Sequence, residues 1–279
     1  MHRQALRRAA VLGSPIAHSL SPALHRAAYA ALGLYWRYDA IECGDHGLAG
    51  FLDGLDASWA GLSLTMPLKR AVLPLADEVS ELAACVGGAN TVVLDGGRRR
   101  VDNTDVGGMV DALGEAGLRS VGNAVVLGAG ATASSALATL RSLGCREMAV
   151  VARDPARITG LRAAAERLHV DVAFRTFSGL AGLLPTDLLI STMPAGAADP
   201  VAPLAAEGAS AVLDVVYDPW PTPLAVAARE AGRPLAGGFA MLLHQAARQV
   251  ELMTGLRPAP VEAMRQAGER VLAGRASSS

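Results

Sequence analysis

One lysine stands apart from the other basic residues of this chain. The sequence holds 24 arginines and a single lysine, Lys69. A guanidinium stays protonated at any working pH, whereas a desolvated ammonium can release and regain a proton. Lys69 is therefore a candidate general acid or base, the alternative being the chance survival of one surface lysine.

A carboxylate, Asp105, is a second candidate for this chemistry. It closes a polar run that begins at Asp102, and it immediately precedes a predicted helix over 106–117. Because the N-terminus of a helix stabilises negative charge, Asp105 could serve as a helix cap alone. A carboxylate fixed there also suits a titrating lysine and a substrate hydroxyl.

The residues before Lys69 predict the element that positions it. The apolar run 59–64 predicts a buried strand, and Thr65-Met66-Pro67 ends it. In open α/β sheets, ligands bind beyond the carboxyl ends of the strands, which is where Lys69 lies. Strands and helices alternate along this part of the chain, so we predict a mostly parallel sheet.

Two serines follow the first predicted strand, residues 8–12. Ser21 precedes Pro22, which is typical of a helix N-cap followed by the first helical position, so a structural role explains it. The sequence assigns no such role to Ser19. Two hydroxyls two residues apart beside a turn can converge on a polyol.

A glycine-rich turn follows a second apolar strand. Residues 128–133 match GxGxxA between a predicted strand over 123–127 and a helix that runs to about 143. Such glycines allow a pyrophosphate to approach the N-terminus of the helix, where free N–H groups favour anions. The motif predicts a dinucleotide site formed by Gly128, Ala129, Gly130, Ala131 and Thr132.

The end of the next predicted strand, 148–152, distinguishes NAD from NADP. An acidic residue there would hold the ribose 2′-hydroxyl of NAD, whereas arginine would accept the 2′-phosphate of NADP. Asp154 precedes a proline, as an ordinary helix N-cap does. Arg153 and Arg157, four residues apart at a helix start, can face one phosphate. The segment favours NADP, with NAD as the alternative.

The composition argues against several classes of function. A net charge of -1 and a pI near 6.6 indicate no nucleic-acid partner. No apolar run reaches the roughly 18 to 20 residues that a membrane span requires. The three cysteines are odd in number and lack metal-binding spacing, so we expect reduced thiols, no metal site and a cytoplasmic location.

Seven motifs, taken in chain order, resemble those of the shikimate dehydrogenase family over nearly the whole chain. They are Gly13-x-Pro15-Ile16-x-His18-Ser19-x-Ser21-Pro22-x-x-His25, Thr65-x-Pro67-x-Lys69, Ala89-Asn90-Thr91, Asn103-Thr104-Asp105, the glycine-rich turn, Asp214-x-x-Tyr217-x-Pro219-x-x-Thr222-Pro223-Leu224 and Gly238-x-x-Met241-Leu242-x-x-Gln245-Ala246.

This resemblance implies an α/β fold with two domains. The substrate domain, with a mostly parallel sheet, would comprise residues 1–105 and the helices of 238–279. A Rossmann-like NADP-binding domain, 106–237, would be inserted between these two parts. The reaction would be the reversible, NADP(H)-dependent reduction of 3-dehydroshikimate to shikimate, in the pathway of aromatic amino acid biosynthesis. The protein would act on this small molecule as a monomer or homodimer.

The resemblance also implies roles for individual residues. Lys69 and Asp105 would act at the reacting oxygen. The carboxylate and hydroxyls of the substrate would contact Ser19, Ser21, Thr65, Asn90, Tyr217 and Gln245. Besides the glycine-rich turn and the two arginines, the cofactor would contact Thr192, Val215 and Gly238.

Three positions depart from the usual family pattern. The chain has Arg26, Ser63 and Ala152 where asparagine is usual, which leaves cofactor preference and substrate range open. An NAD-dependent quinate/shikimate dehydrogenase is therefore the nearest alternative. A non-catalytic sensor of shikimate-like ligands is the alternative outside the enzymes, and the presence of Lys69 and Asp105 argues against it.

Overall fold

The computed structural model describes residues 6–154 and 158–276. These residues divide into two compact units. The first contains the chain up to Ala84, Gly88–Thr104 and the chain from Leu243 onward, and the second contains Cys85–Gly87 and Asp105–Leu242. Across the described residues, no helix combines the length and the apolar character needed to cross a membrane.

The first unit is built from strands that alternate with short helices. In chain order the elements are β1 (Arg7–Gly13), α1 (Ser21–Ala31), β2 (Trp36–Glu42), α2 (Asp45–Asp53), β3 (Trp59–Leu64), α3 (Leu68–Ala71), β4 (Glu78–Val79), α4 (Glu81–Val86), β5 (Thr91–Asp95) and β6 (Arg98–Asp102).

Its sheet has the strand order β2-β1-β3-β5-β6-β4. The β1 strand pairs in parallel with both β2 and β3, whereas β5 runs antiparallel to β3 and to β6. All six residues of β3 are buried, as their apolar run predicts. The amino end of β5 therefore meets the carboxyl end of β3, where Thr91 lies opposite Ser63.

The second unit alternates strands and helices throughout. Its elements are α5 (Asp105–Glu115), β7 (Asn123–Leu127), α6 (Ala131–Ser142), β8 (Glu147–Val151), α7 (Ile158–Arg167), β9 (Val172–Arg175), β10 (Thr186–Ser191), α8 (Ala202–Gly208), β11 (Ala209–Asp214), α9 (Pro223–Glu230) and β12 (Leu235–Gly237).

The sheet of the second unit is parallel at every pairing, in the order β12-β11-β10-β7-β8-β9. The order reverses between β7 and β10, and such a switch point is where doubly wound sheets bind nucleotides. Aliphatic residues of β7, β10 and β11 form the core beneath α8 and α9.

Two long helices end the chain. They are α10 (Gly238–Thr254) and α11 (Val261–Ala276), and α11 packs against α1 in the first unit. The predicted fold class, α/β with a mostly parallel first sheet and a Rossmann-like second sheet, is confirmed by this topology. The division into 1–105 with 238–279 and 106–237 as substrate and cofactor domains stays a prediction.

Candidate active site

The first unit gathers several predicted residues beyond the carboxyl ends of β1 and β3. These strands are parallel neighbours, with Leu12 beside Leu64. The chain leaves β1 toward Ser19 and Ser21, and it leaves β3 toward Thr65 and Lys69. A small ligand at this edge of the sheet would meet side chains from both loops.

The two serines have local roles that differ from the predicted ones. Leu20 is the N-cap of α1, and Ser21 is already its first residue, so Ser21 is not the predicted cap. The Ser19 hydroxyl accepts a hydrogen bond from the Ser21 amide at 3.2 Å. Ser19 therefore organises the start of the helix, a role that the sequence did not reveal.

Close packing joins the two loops. A Cβ atom on Gly13 would overlap the Thr65 methyl group and would lie 2.9 Å from the Met66 carbonyl oxygen. The Ser14 amide donates to that carbonyl at 2.9 Å. Only glycine at position 13 permits this approach, so the end of β1 fixes the position of Thr65.

Lys69 lies half-buried in the short helix α3. Its backbone carbonyl accepts a hydrogen bond from the Ala89 amide at 2.7 Å, and a Cβ on Gly88 would stand 3.4 Å from the same oxygen. The segment that leads into β5 thus holds the backbone of Lys69 in place.

Asn90 and Gln245, two predicted substrate ligands, are direct neighbours. The Asn90 amide nitrogen donates to the Gln245 side-chain oxygen at 3.1 Å and to the Thr104 hydroxyl at 2.9 Å. The Asn90 side-chain oxygen accepts from the Thr104 amide at 2.8 Å. All three residues are buried, so this cluster is rigidly held by its own hydrogen bonds.

Behind this cluster lies a buried polar group that sequence reasoning missed. Gln249, one helical turn after Gln245, is 1% exposed and forms hydrogen bonds to β3, β5 and α1. Tyr38 and Ser63 are bonded to each other at 2.6 Å, and the His25 ring stacks on Tyr38 with 3.9 Å between centroids. A second glutamine on the same apolar helix face was the signal that could have found it.

Burial governs the titration of these aromatic groups. Desolvation lowers the pKa of His25 to about 3, against a smaller opposing effect of its hydrogen bond to Gln249. Desolvation also raises the pKa of Tyr38, while its bonds to Ser63 and Ser21 act in the opposite direction. The imidazole is neutral and the phenol protonated at neutral pH.

In the second unit, the glycine-rich turn lies at the switch point of the sheet. Gly128 follows β7 with a φ of 110°, which disfavours any residue with a side chain. A Cβ there would stand 2.6 Å from the Thr192 hydroxyl oxygen. Thr192 follows β10, and its amide and hydroxyl both donate to the Leu127 carbonyl at 2.9 Å.

Gly130 makes the turn fit a pyrophosphate. It is the exposed N-cap of α6 and leaves the first amides of that helix uncovered by a side chain. Among the described residues other than Gly130 and its two chain neighbours, no heavy atom lies within 4 Å of the point where a Cβ of Gly130 would stand. Open space above helical amides is a suitable cradle for an anion.

Val215 and Gly238 approach each other at the end of β11. A Cβ on Gly238 would overlap the Val215 carbonyl group, so glycine is required at the start of α10. Tyr217, half-buried, lies on the same strand exit. That exit is anchored by the buried Asp214, which accepts from the Thr222 hydroxyl at 2.6 Å. Burial raises the pKa of Asp214, partly offset by this bond.

The remaining predicted residues are spread over the second unit. Arg153 is exposed just beyond β8, as a ligand of a 2′-phosphate requires, whereas Arg157 lies outside the described residues. Asp105, only 3% exposed, is the first residue of α5. Lys69 belongs to the first unit and Asp105 to the second.

The strand order of the second unit, with a glycine-rich turn at its switch point, places the chain in the class of dinucleotide-binding proteins. Sequence comparison specifies the family. The profile of the shikimate dehydrogenase substrate binding domain matches residues 11–92, and that of the shikimate 5′-dehydrogenase C-terminal domain matches residues 238–267.

Whole-chain comparisons agree. Shikimate dehydrogenase (NADP(+)) of a Synechococcus strain is 36% identical, over 94% of this chain and 95% of the relative. The shikimate dehydrogenase structure from Mycobacterium tuberculosis is 46% identical with a TM-score of 0.87, covering 95% and 99% of the two chains. The shikimate 5-dehydrogenase from Thermus thermophilus, in complex with NADP(H) and shikimate, is 35% identical with a TM-score of 0.84, covering 95% and 99%. The chain belongs to the shikimate dehydrogenase family.

Proposed function

We propose that this chain catalyses the reversible, NADP-dependent reduction of 3-dehydroshikimate to shikimate. The observation that carries the proposal is the position of Lys69. The only lysine of the chain lies beyond the carboxyl end of β3, at the same edge of the sheet as the segments that carry Ser19, Ser21 and Thr65. Relatives that share most of the chain are NADP-dependent shikimate dehydrogenases.

The substrate is a small polyol with one carboxylate, and the first unit offers matching polar groups. Hydroxyls of Ser19, Ser21 and Thr65 can bond its oxygens, and the Asn90–Gln245 pair supplies amide donors and acceptors. We assign Tyr217, from the second unit, to the same substrate. Because Asn90 and Gln245 are already bonded to each other, they meet the ligand with fixed orientations.

The glycine-rich turn is proposed to hold the pyrophosphate of NADP(H). Gly128, Ala129, Gly130, Ala131 and Thr132 supply the turn and the first amides of α6. The assignment of Thr192, Val215 and Gly238 to the same cofactor agrees with their positions after β10, after β11 and at the start of α10. Exposed Arg153 is assigned to the 2′-phosphate. Arg157 is assigned there from the sequence alone.

In the proposed reaction the protein moves a proton. NADP(H), when bound, supplies or takes up the hydride. During reduction the Lys69 ammonium donates its proton to the C3 carbonyl oxygen, which neutralises the charge that develops there. During oxidation the neutral amine takes the proton back from the hydroxyl. Asp105 is proposed to orient the substrate hydroxyl.

Steady-state kinetics with two substrates and two cofactors test this function. We expect kcat/KM to be highest for shikimate with NADP+ among the four combinations with quinate and NAD+. A preference for quinate with NAD+ would instead assign the chain to the quinate/shikimate branch. Binding of shikimate without turnover would assign it to the sensors. The cytoplasmic location and the monomeric or homodimeric state stay predictions from the sequence.

A further inference from the structure

Gln249 is buried in the first unit with both ends of its side-chain amide engaged. Its Oε1 atom lies 2.7 Å from the Ser63 hydroxyl on β3 and 3.3 Å from Nε2 of His25 on α1. Its Nε2 atom donates to the backbone carbonyl of Asn90 at 2.9 Å and to the Thr91 hydroxyl at 3.1 Å. One side chain thus joins α10 to α1 and to two strands of the sheet.

The chemistry of the partners fixes the direction of each hydrogen bond. The Asn90 carbonyl can only accept, so the nitrogen of the Gln249 amide must face it and the oxygen must face Ser63. Ser63 then donates its one hydroxyl proton to Gln249 Oε1, so Tyr38 must be the donor in the 2.6 Å hydrogen bond to Ser63. His25 likewise carries its proton on Nε2.

This network ends on the amide cluster to which substrate binding is assigned. Thr91 donates its proton to the Asn90 side-chain oxygen at 2.9 Å, because its hydroxyl oxygen already accepts from Gln249. The Asn90 amide nitrogen in turn donates to Gln245 at 3.1 Å. Removing the Gln249 amide therefore takes one hydrogen bond from the Asn90 carbonyl, which keeps the bond from the Leu64 amide at 2.7 Å. It also removes the donor that directs the Thr91 hydroxyl toward the Asn90 side chain.

We propose that Gln249 is a positioning residue for substrate binding, which holds Asn90, and through it Gln245, in the orientation that receives shikimate. Gln249 itself has no atom left to offer a ligand. The inference rests on the proposed function, since it assigns a role in the same substrate site. It also explains how Ser63 serves where the family usually has asparagine: its hydroxyl is a link in this network.

The test is the Gln249→Met variant, which keeps the length of the side chain and removes its hydrogen bonds. Loss of the Gln249 hydrogen bonds to Asn90 and Thr91 is expected to raise KM for shikimate about tenfold. We expect kcat and the KM for NADP+ to stay within about twofold of wild type, because the lost interaction holds substrate and transition state alike. Gln266→Met, at an exposed glutamine of α11, is the matched control and should change neither constant.

A purely structural role would give a different result. If Gln249 served the fold alone, the substitution would lower the apparent kcat, because less of the enzyme would be active. It would leave KM for shikimate unchanged. Ser63→Ala is the second variant and decides the matter if Gln249→Met does not fold. It removes the Ser63 hydrogen bonds with Gln249 and Tyr38 but leaves those from Gln249 to Asn90 and Thr91 in place. About a threefold rise in KM for shikimate is expected.

An unchanged KM for shikimate in a folded variant, or an equal rise in KM for NADP+, overturns the proposal. These outcomes are distinct from failure of the proposed function. That failure appears in the wild-type enzyme, as absence of shikimate oxidation with NADP+, before any variant is compared.

Discussion

At the scale of single residues, Lys69 differs from the other basic side chains in what it can do with a proton. The chain has arginine at 24 positions and lysine at one, in the family motif that follows β3. Lys69→Arg keeps the positive charge but removes the ability to give up a proton near neutral pH. It therefore separates charge from proton transfer.

We expect Lys69→Arg to lower kcat by about a thousandfold while the dissociation constant of shikimate changes far less. The reciprocal variant Arg70→Lys, at the exposed neighbouring position, is the control and should retain wild-type kcat. Single-turnover kinetics and ligand titration provide the two quantities. A kcat near the wild-type value in Lys69→Arg would show that Lys69 contributes charge only.

At this scale the sequence singles out a residue of unusual type, but it does not reveal contacts between distant segments. Lys69 could be singled out from composition alone. The link between Gln249 and Ser63, 186 positions apart, depends on how α10 packs on the sheet. Ser21 was predicted as a helix cap because Pro22 follows it, but the helix begins one residue earlier and Ser21 is buried.

At the scale of elements, glycine is needed at the two positions of the turn after β7 for different physical reasons. Gly128 is required by its backbone, since its φ is 110° and a Cβ would approach Thr192. Gly130 has ordinary backbone angles and open space beside it. If that space is where the pyrophosphate lies, a methyl group there hinders the cofactor and leaves the fold intact.

We therefore predict opposite effects for two alanine variants. Gly128→Ala should lower the free energy of unfolding by about 1–3 kcal/mol, because it strains the backbone. Gly130→Ala should leave that free energy within about 0.5 kcal/mol of wild type. It should, however, raise KM for NADP+ by at least about tenfold, because it obstructs the anion cradle. Chemical unfolding and steady-state kinetics measure both, and normal NADP+ binding by Gly130→Ala would contradict the proposed cofactor site.

The long, strongly patterned elements were predictable and the short ones were not. Strands β3, β7 and β10 carry continuous apolar runs, and all three form where the runs are. The two-residue strand β4 has no local sequence signal, because Glu78 and Val79 form a strand through their pairing with β6. Helix α8 and strand β12 were missed; β12 has three residues and depends on β11 for its pairing.

At the scale of the whole molecule, the alternation of strands and helices predicted the fold class but not the strand orders. The order in each sheet depends on crossovers, which local pattern does not specify. The glycine-rich turn was informative because such a turn is typical of the point where the strand order reverses. In the second sheet it follows β7, which lies at that point.

The stability of the molecule toward acid is expected to depend on His25. Its pKa is about 3 in the folded chain, against 6.5 for an ordinary histidine. Above pH 6.5 the His25 ring is neutral in both the folded and the unfolded chain, so its full contribution to the free energy of unfolding is present there. Between pH 6.5 and about 3, only the unfolded chain takes up the proton. From pH 6.5 down to about 3, this one group lowers the free energy of unfolding by about 1.4 kcal/mol per pH unit.

Urea unfolding across this pH window checks the prediction. As the pH falls, the free energy of unfolding should decrease less steeply for the His25→Asn variant than for wild type. The difference should be up to about 1.4 kcal/mol per pH unit, the slope for one proton. His46→Asn replaces a fully exposed histidine and should follow the wild-type slope. Parallel curves for wild type and His25→Asn would mean that the His25 ring titrates equally in both states.

The transfer of a labelled hydrogen tests the central claim most directly. The enzyme is incubated with NADP+ and with shikimate that carries deuterium at C3, and both products are analysed by mass spectrometry. We predict that the deuterium is found in NADPH and that the carbon product is unlabelled 3-dehydroshikimate. Recovery of unchanged labelled shikimate, or of NADPH without deuterium, would contradict the account.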